Sequence, residues 1–128
     1  PYAPSGGVPA GFVAQRVADG AGRTLGVLAF QMPVGKLDAL MQDATQLGKT
    51  GESYLLGADR RMRSDSRLSK DPALLKVEKP EAYAHLATGK AESLETANES
   101  GKTVLAAATP LDFRGTRWAV VTEQESGE

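Results

Sequence analysis

Residues 48–67 read GKTGESYLLGADRRMRSDSR, and this stretch decides the fold. Gly48 and Gly51 bracket Lys49-Thr50, so the chain can end a preceding helix and change direction where a Cβ would be a steric cost. A short apolar strand follows at Tyr54–Leu56. A turn at Gly57-Ala58-Asp59 comes next, and the alternating Met62-Arg63-Ser64 leaves it as a second strand. The segment spells a helix exit followed by a hairpin, and the rest of the chain can be placed around it.

On the N-terminal side, Pro1–Ala10 has Pro at 1, 4 and 9 and Gly at 6 and 7, a loop composition with no face to bury. Phe12, Val13 and Val17 form a first strand, closed by Asp19-Gly20-Ala21-Gly22. Leu25–Met32 forms a second, whose near-continuous apolar run predicts burial on both faces. Pro33 ends it. Leu37, Leu40, Met41, Ala44 and Leu47 recur at three- and four-residue spacing, which predicts an amphipathic helix over Val34–Leu47 with one face on the sheet.

On the C-terminal side, Asp71-Pro72 can cap a helix that Pro80 interrupts, and a second helical piece runs over Glu81–Thr88 to Gly89. Ala91–Thr96 is polar enough for an edge strand. Thr103–Thr109 reads as a central strand and Arg117–Glu123 as one with a buried face, joined by turns at Asn98–Gly101 and Asp112–Gly115. Runs of strands with helices inserted predict an α+β domain on a single antiparallel sheet, with Leu25–Met32, Thr103–Thr109 and Arg117–Glu123 supplying most of its buried residues.

Composition bounds the function. The chain has 128 residues, 41% of them apolar and 24% charged, enough for one ordinary folded domain. A net charge of −1 offers no basic surface for nucleic acid. Cysteine is absent, which removes disulfides, thiolate chemistry and cysteine-ligated metals together. No run of about 18 apolar residues is present to span a membrane, and the first residues are not those of a signal peptide. With no initiating Met and an abrupt finish at Ser126-Gly127-Glu128, the chain reads as a domain cut from a longer protein, with any membrane anchors in the flanking segments.

No catalytic constellation emerges. His85, the single histidine, has neither cysteine nor a second histidine with which to hold zinc, and reads as structural. Ser64, Ser66 and Ser69 lie outside a G-x-S-x-G elbow. Gly48-Lys49-Thr50 copies the end of a phosphate loop, but Asp43 stands where its first glycine belongs and the segment before it is helical. Asp59 and Asp65 sit in or beside turns, where Asp commonly bonds its own backbone. A binding module is therefore favoured over an enzyme.

Five of the fifteen basic residues, Arg60, Arg61, Arg63, Arg67 and Lys70, crowd one rim of the central hairpin. They read either as a solvated edge or, through Arg63, as an anchor for a ligand carboxylate. Trp118, Tyr54 and Tyr83 combine an apolar wall with a polar tip, and serve either core or ligand. Gln31, polar within an apolar strand, needs a partner if it faces inward. The candidate ligand-binding set is Arg63, Tyr54, Gln31, Trp118 and Asp65.

GKTGESYLLGAD followed by MRSDSR, together with GVLAFQMPVGKLDALM before it and AAATPLDFRGTRWAVVTE after it, resembles the extracytoplasmic Cache sensor domains of bacterial methyl-accepting chemotaxis proteins. These blocks, in the family's order, cover most of the chain from about Ala10 to Glu125. Where the family pattern has Asp-Gly in the central turn, this chain has Asp59-Arg60, which predicts a longer loop.

The resemblance implies a PAS-like antiparallel sheet of five to six strands flanked by helices. It also implies a position outside the inner membrane, periplasmic or extracellular, between two transmembrane helices. It implies a small ligand, an amino acid or organic acid, bound over the sheet without a cofactor, and a signal passed to a chemoreceptor, histidine kinase or cyclase. The resemblance is compatible with a homodimer in the full receptor, and the alternative to ligand sensing is a membrane-proximal spacer with no ligand of its own. On this reading residues 1–128 are a single sensor module, with 1–10 as loop and 11–125 folded, forming the membrane-proximal part of a larger sensor.

Overall fold

A computed structural model describes residues 3–6, 10–43, 45–59, 61–70, 89, 91–98, 100–113 and 115–128. The helices expected over 71–88, with Tyr83 and His85, and also Arg60, lie outside the described residues. The chain divides into two compact units, 1–36 and 37–128.

The first unit opens with a 3-10 turn at Ala3–Ser5 and is built on an antiparallel hairpin of β1 (Gly11–Ala18) and β2 (Thr24–Met32). Its turn is made by Asp19. The carboxylate oxygen Oδ1 accepts from the backbone N–H groups of Ala21 and Arg23, both at 2.9 Å, and Oδ2 accepts from Arg23 Nε at 2.8 Å. Gly22 closes the turn at φ +80°, a conformation suited to glycine. Hydrogen bonding, first from the Arg23 backbone and then from its guanidinium, holds the Asp19 carboxyl below its usual range.

Helix α1 (Val34–Met41) begins immediately after Pro33, as predicted, but stops six residues short of Leu47. Asp43 is the reason: its carboxylate accepts from the Thr45 backbone and hydroxyl, drawing the chain into a turn before another helical turn can form. The helix buries none of its residues, contrary to the expected packed face.

The second unit carries a four-stranded antiparallel sheet in the order β3-β6-β5-β4, from β3 (Glu52–Gly57), β4 (Glu92–Ala97), β5 (Thr103–Phe113) and β6 (Thr116–Glu125). Strand alternation sorts its residues cleanly. Tyr54 and Leu56 of β3, Ala119 and Val121 of β6, and Ala106 and Ala108 of β5 point to one face, where with Met62 they form the buried core. Leu105, Ala107 and Thr109 of β5 point the other way and are exposed. The β4–β5 turn repeats the chemistry of the first hairpin: Asn98 Oδ1 accepts from the N–H groups of Ser100 and Lys102, and Gly101 sits at φ +75°.

The antiparallel arrangement, the edge position of β4, the central position of β5 and the single buried face of β6 agree with the sequence. Two expectations are corrected. The strands pair as two sheets among the described residues, with β1 and β2 bonded to each other and not to the four-stranded sheet. And β2, expected in the core, is exposed along nearly its whole length, because a hairpin of two strands has no layer of its own to cover either face.

Candidate ligand-binding site

β3 and the segment after it build the polar part of the buried face. Gly57 N–H donates to Arg61 O at 2.8 Å, so the turn is longer than two residues, as the missing Asp-Gly implied. The return arm is not a full strand. It touches β3 through a single bridge between Leu56 and Met62 and through Arg63 N–H donating to Leu55 O at 2.7 Å. One step further, the buried Ser64 hydroxyl accepts from Leu55 N–H at 2.9 Å, standing in for the carbonyl that a strand would have offered.

Among the described side chains, two carboxylates lie on this buried face. Glu52 of β3 is paired in register with Glu123 of β6, and both are buried, at 5% and 3% exposure. Tyr54 donates its hydroxyl to Glu123 Oε2 at 2.9 Å, and Ser66 donates to Glu52. Beside them the register row continues through Ala106 to Leu94, and the next row runs from Tyr54 through Val121 to Ala108. Aromatic hydroxyl, paired carboxylates and a floor of alanines thus share one surface. Burying carboxylates is costly unless each is hydrogen-bonded or charge-compensated, so this row is where the sheet departs from the requirements of packing alone.

The five residues singled out from sequence are not one cluster. Tyr54 is fully buried and belongs to the row just described. Arg63 is half-buried, but its guanidinium is spent on its own turn: Nη2 donates to Asp59 Oδ2 at 2.6 Å, and Nη1 donates to the carbonyls of Arg61 and Met62. Burial raises the Asp59 carboxyl, and the Arg63 and Arg61 hydrogen bonds more than offset this to hold it below its usual range.

Asp65 is half-buried beyond Ser64, its backbone N–H donating to Asp38 Oδ1 at 2.8 Å. Burial, together with the nearby Asp65 charge, pushes the Asp38 carboxyl up despite that hydrogen bond. Trp118 projects from the face of the sheet opposite Tyr54, where it stacks on Phe113 with ring centroids 6.4 Å apart. Gln31 is exposed on β2 in the other unit, so the inward-facing reading of it is corrected.

Arg67, another member of the basic cluster, is consumed by backbone carbonyls, donating to Gly51 O, Gly48 O and Lys49 O. The sequence reading passed over Glu52 and Glu123, and weighed Ser66 only as a nucleophile. The signal was present: each glutamate occupies the inward parity of its strand, in line with Tyr54 or Val121, where a surface residue is not expected.

On the opposite face of the sheet, an open concavity of about 510 Å³ is lined by Leu47, Ser93, Glu95, Leu105, Ala107 and Thr122 among others. Among the described residues no cluster of three or more acidic or histidine side chains could hold a metal ion, and no helix is long and apolar enough to cross a membrane.

The fold is similar to that found in periplasmic sensory domains of bacterial chemoreceptors, in line with the Cache-like fold expected from the sequence. Campylobacter jejuni Tlp1 superposes with a TM-score of 0.77 at 19% identity over 92% of this chain and 44% of its own. The ligand-binding domain of Pseudomonas fluorescens CtaA, solved with L-serine, gives 0.60 at 22% identity over 91% and 48%. That of Pseudomonas aeruginosa PctB, solved with L-Arg, gives 0.62 at 17% over 91% and 44%. The chain therefore spans less than half the length of these solved domains. No family model and no curated protein matches it.

Proposed function

We propose that this chain is part of the extracytoplasmic ligand-sensing domain of a transmembrane chemoreceptor, and that its second unit binds a small amine-bearing molecule on the buried face of the sheet. The role is recognition without catalysis, in the periplasm, with the signal passed on through the membrane. Support for the sensor comes from the fold shared with Tlp1, CtaA and PctB, of which the latter two were solved with amino acids bound. The observation that carries the ligand class is the buried Glu52–Glu123 pair beside the Tyr54 hydroxyl. An ammonium group donates charge-assisted hydrogen bonds to carboxylates. The guanidinium groups of Arg63 and Arg67, which would have suited a ligand carboxylate, are engaged with Asp59 and with backbone carbonyls. Tyr54 and Glu123, with Glu52 paired in register beside them, form the centre of the proposed site.

Differential scanning of the chain against matched amino acids, simple amines and carboxylic acids lacking the amine tests this reading. The expected result is stabilisation by the amine-bearing compounds, about 2.7 kcal/mol for any ligand at 100 times its dissociation constant, and loss of that shift in Glu123→Gln. A response confined to the carboxylic acids would reject the amine. No response to any compound would favour a spacer role.

A further inference from the structure

We infer that the Gly48–Gly51 loop is a switch element, whose hold on the turn after β6 is set, through Arg67 and Ser66, by the state of the buried Glu52 carboxylate. This rests on the ligand reading above only for what occupies Glu52, and the linkage itself needs no ligand. Its first part is the return arm. Past its one bridge to β3, at Met62, the arm is not a strand among the described residues, and consecutive side chains and N–H groups take different partners. Ser64 Oγ accepts from Leu55 N–H, and Asp65 N–H donates to Asp38 Oδ1. The buried Ser66 hydroxyl accepts from Leu68 N–H at 3.1 Å and donates to Glu52. Arg67 donates from Nε to Gly51 O, and from Nη2 to Gly48 O at 2.8 Å and Lys49 O at 3.1 Å.

Glu128 grips the same loop from its other side. Its Oε1 accepts from Lys49 N–H at 2.8 Å, and its Oε2 from Thr50 N–H at 2.9 Å and from the Thr50 hydroxyl. The two grips fall on the same peptide groups. Gly48 C=O and Lys49 N–H belong to one planar trans unit, and Lys49 C=O and Thr50 N–H to the next. In each unit the carbonyl goes to the Arg67 guanidinium and the N–H to the Glu128 carboxylate. These groups point in opposite directions across a trans peptide, so rotating either unit breaks a bond to the arginine and a bond to the glutamate together. A cation at one end and an anion at the other also polarise the peptide in the same sense, which strengthens each bond while the other is made. The two charged side chains are thus coupled through the backbone between them.

Movement enters this loop from Glu52 and leaves it toward β6. Arg67 adjoins Ser66, one Cα step of about 3.8 Å away. Hydrogen bonds weaken steeply once their geometry is lost, so releasing Ser66 from Glu52 disturbs the guanidinium fork. A ligand ammonium at Glu52 draws on the carboxylate that holds Ser66. On the far side, Glu125 N–H donates to Thr50 Oγ1 at 3.3 Å, and Glu128 N–H closes a turn onto Glu125 O at 3.1 Å. The loop therefore holds the turn after β6 through both Glu125 and Glu128. Gly48, at φ +61°, gives the first of the two peptides the freedom to rotate.

The test is hydrogen exchange of the Lys49 and Thr50 amides, followed by NMR on this chain without ligand. Ser66 bonds neither amide, yet Ser66→Ala should speed both at least ~5-fold, the lower end of ordinary coupling between sites. Ser66→Thr, which keeps the hydroxyl, should return them close to the parent rate. Ser53→Ala removes another hydroxyl bond of β3, the one to Thr122, which lies outside the relay, and should leave both amides unchanged. Coupling is reciprocal, so Glu128→Gln should speed exchange of the Arg67 Nε–H. Parent-like amide exchange in Ser66→Ala, an equal rise in Ser53→Ala, or an Arg67 Nε–H indifferent to Glu128→Gln would overturn the inference. Because no ligand enters these measurements, a chain that binds no amine rejects the ligand reading alone, and the exchange rates decide the linkage by themselves.

Discussion

At the scale of single residues, the turn chemistry of the Gly48–Gly51 loop turns out to hold an anion. The Glu128 carboxylate accepts from the backbone N–H groups of Lys49 and Thr50 at 2.8 and 2.9 Å, and from the Thr50 hydroxyl. Gly48 stands at φ +61°, and a Cβ there would come within 2.5 Å of Glu128 Oε1, so glycine serves both the backbone and the guest. These bonds, led by the one from the Lys49 backbone, lower the Glu128 carboxyl to about 2. A folded-state value below the unfolded one contributes stability that is present above the ordinary carboxylate range and is lost as pH falls through about 2. Carboxyl-detected NMR titration should therefore find Glu128 ionised well below pH 4. A midpoint near the ordinary ~4.3 would mean that the loop does not hold it in solution. The turn glycines were readable in the sequence. Their guest, nearly eighty positions away, was not, because a nest of N–H groups names no partner.

At the scale of the element, β3 and its return arm show where strand patterning stops being informative. Alternation correctly set Met62 and Ser64 against Arg63, since the first two are buried and Arg63 is half-buried. It could not reveal that pairing fails after one bridge and that a side chain takes over the ladder. Ser64→Ala removes the acceptor from a buried N–H, so it should cost about 1–3 kcal/mol in chemical denaturation, the penalty of leaving such a donor unsatisfied. A loss below about 0.5 kcal/mol, the scale of ordinary surface substitutions, would show that the segment repacks as a regular strand. Gly51 makes a second case. Its N–H closes on Leu47 O at 3.0 Å, and an added Cβ would lie 2.0 Å from that same oxygen. Gly51→Ala must shift backbone, and should destabilise by about 1–3 kcal/mol, as overpacking does. A melting temperature equal to that of the parent would contradict the tightness of this loop.

At the scale of the molecule, hydrophobicity alone ranked the strands wrongly. Leu25–Met32 is among the most apolar stretches in the sequence, and was expected to share the sheet core with Thr103–Thr109 and Arg117–Glu123. The core does collect on β5 and β6, but with β3 in place of β2, and its inner rows are largely alanine, valine and tyrosine. Apolar pattern reports which residues need cover, whereas the cover depends on which strands share a sheet, and that is decided by pairing over long separations in sequence. The antiparallel order was legible because turns at Asn98–Gly101 and Asp112–Gly115 force neighbouring strands. The division after Lys36 was not, because a helix can join strands of one sheet or of two. Stability should follow burial and not composition. Trp118, the single tryptophan, lies in the second unit and reports its unfolding. Met62, 1% exposed within the core, should cost about 2–5 kcal/mol when changed to alanine. Leu25→Ala removes a side chain 70% exposed to water and should stay within about 0.5 kcal/mol of the parent in the same urea titration. Comparable losses from the two substitutions would mean that β2 is buried against the second unit in solution, and the hairpin would then have to be counted as part of that fold.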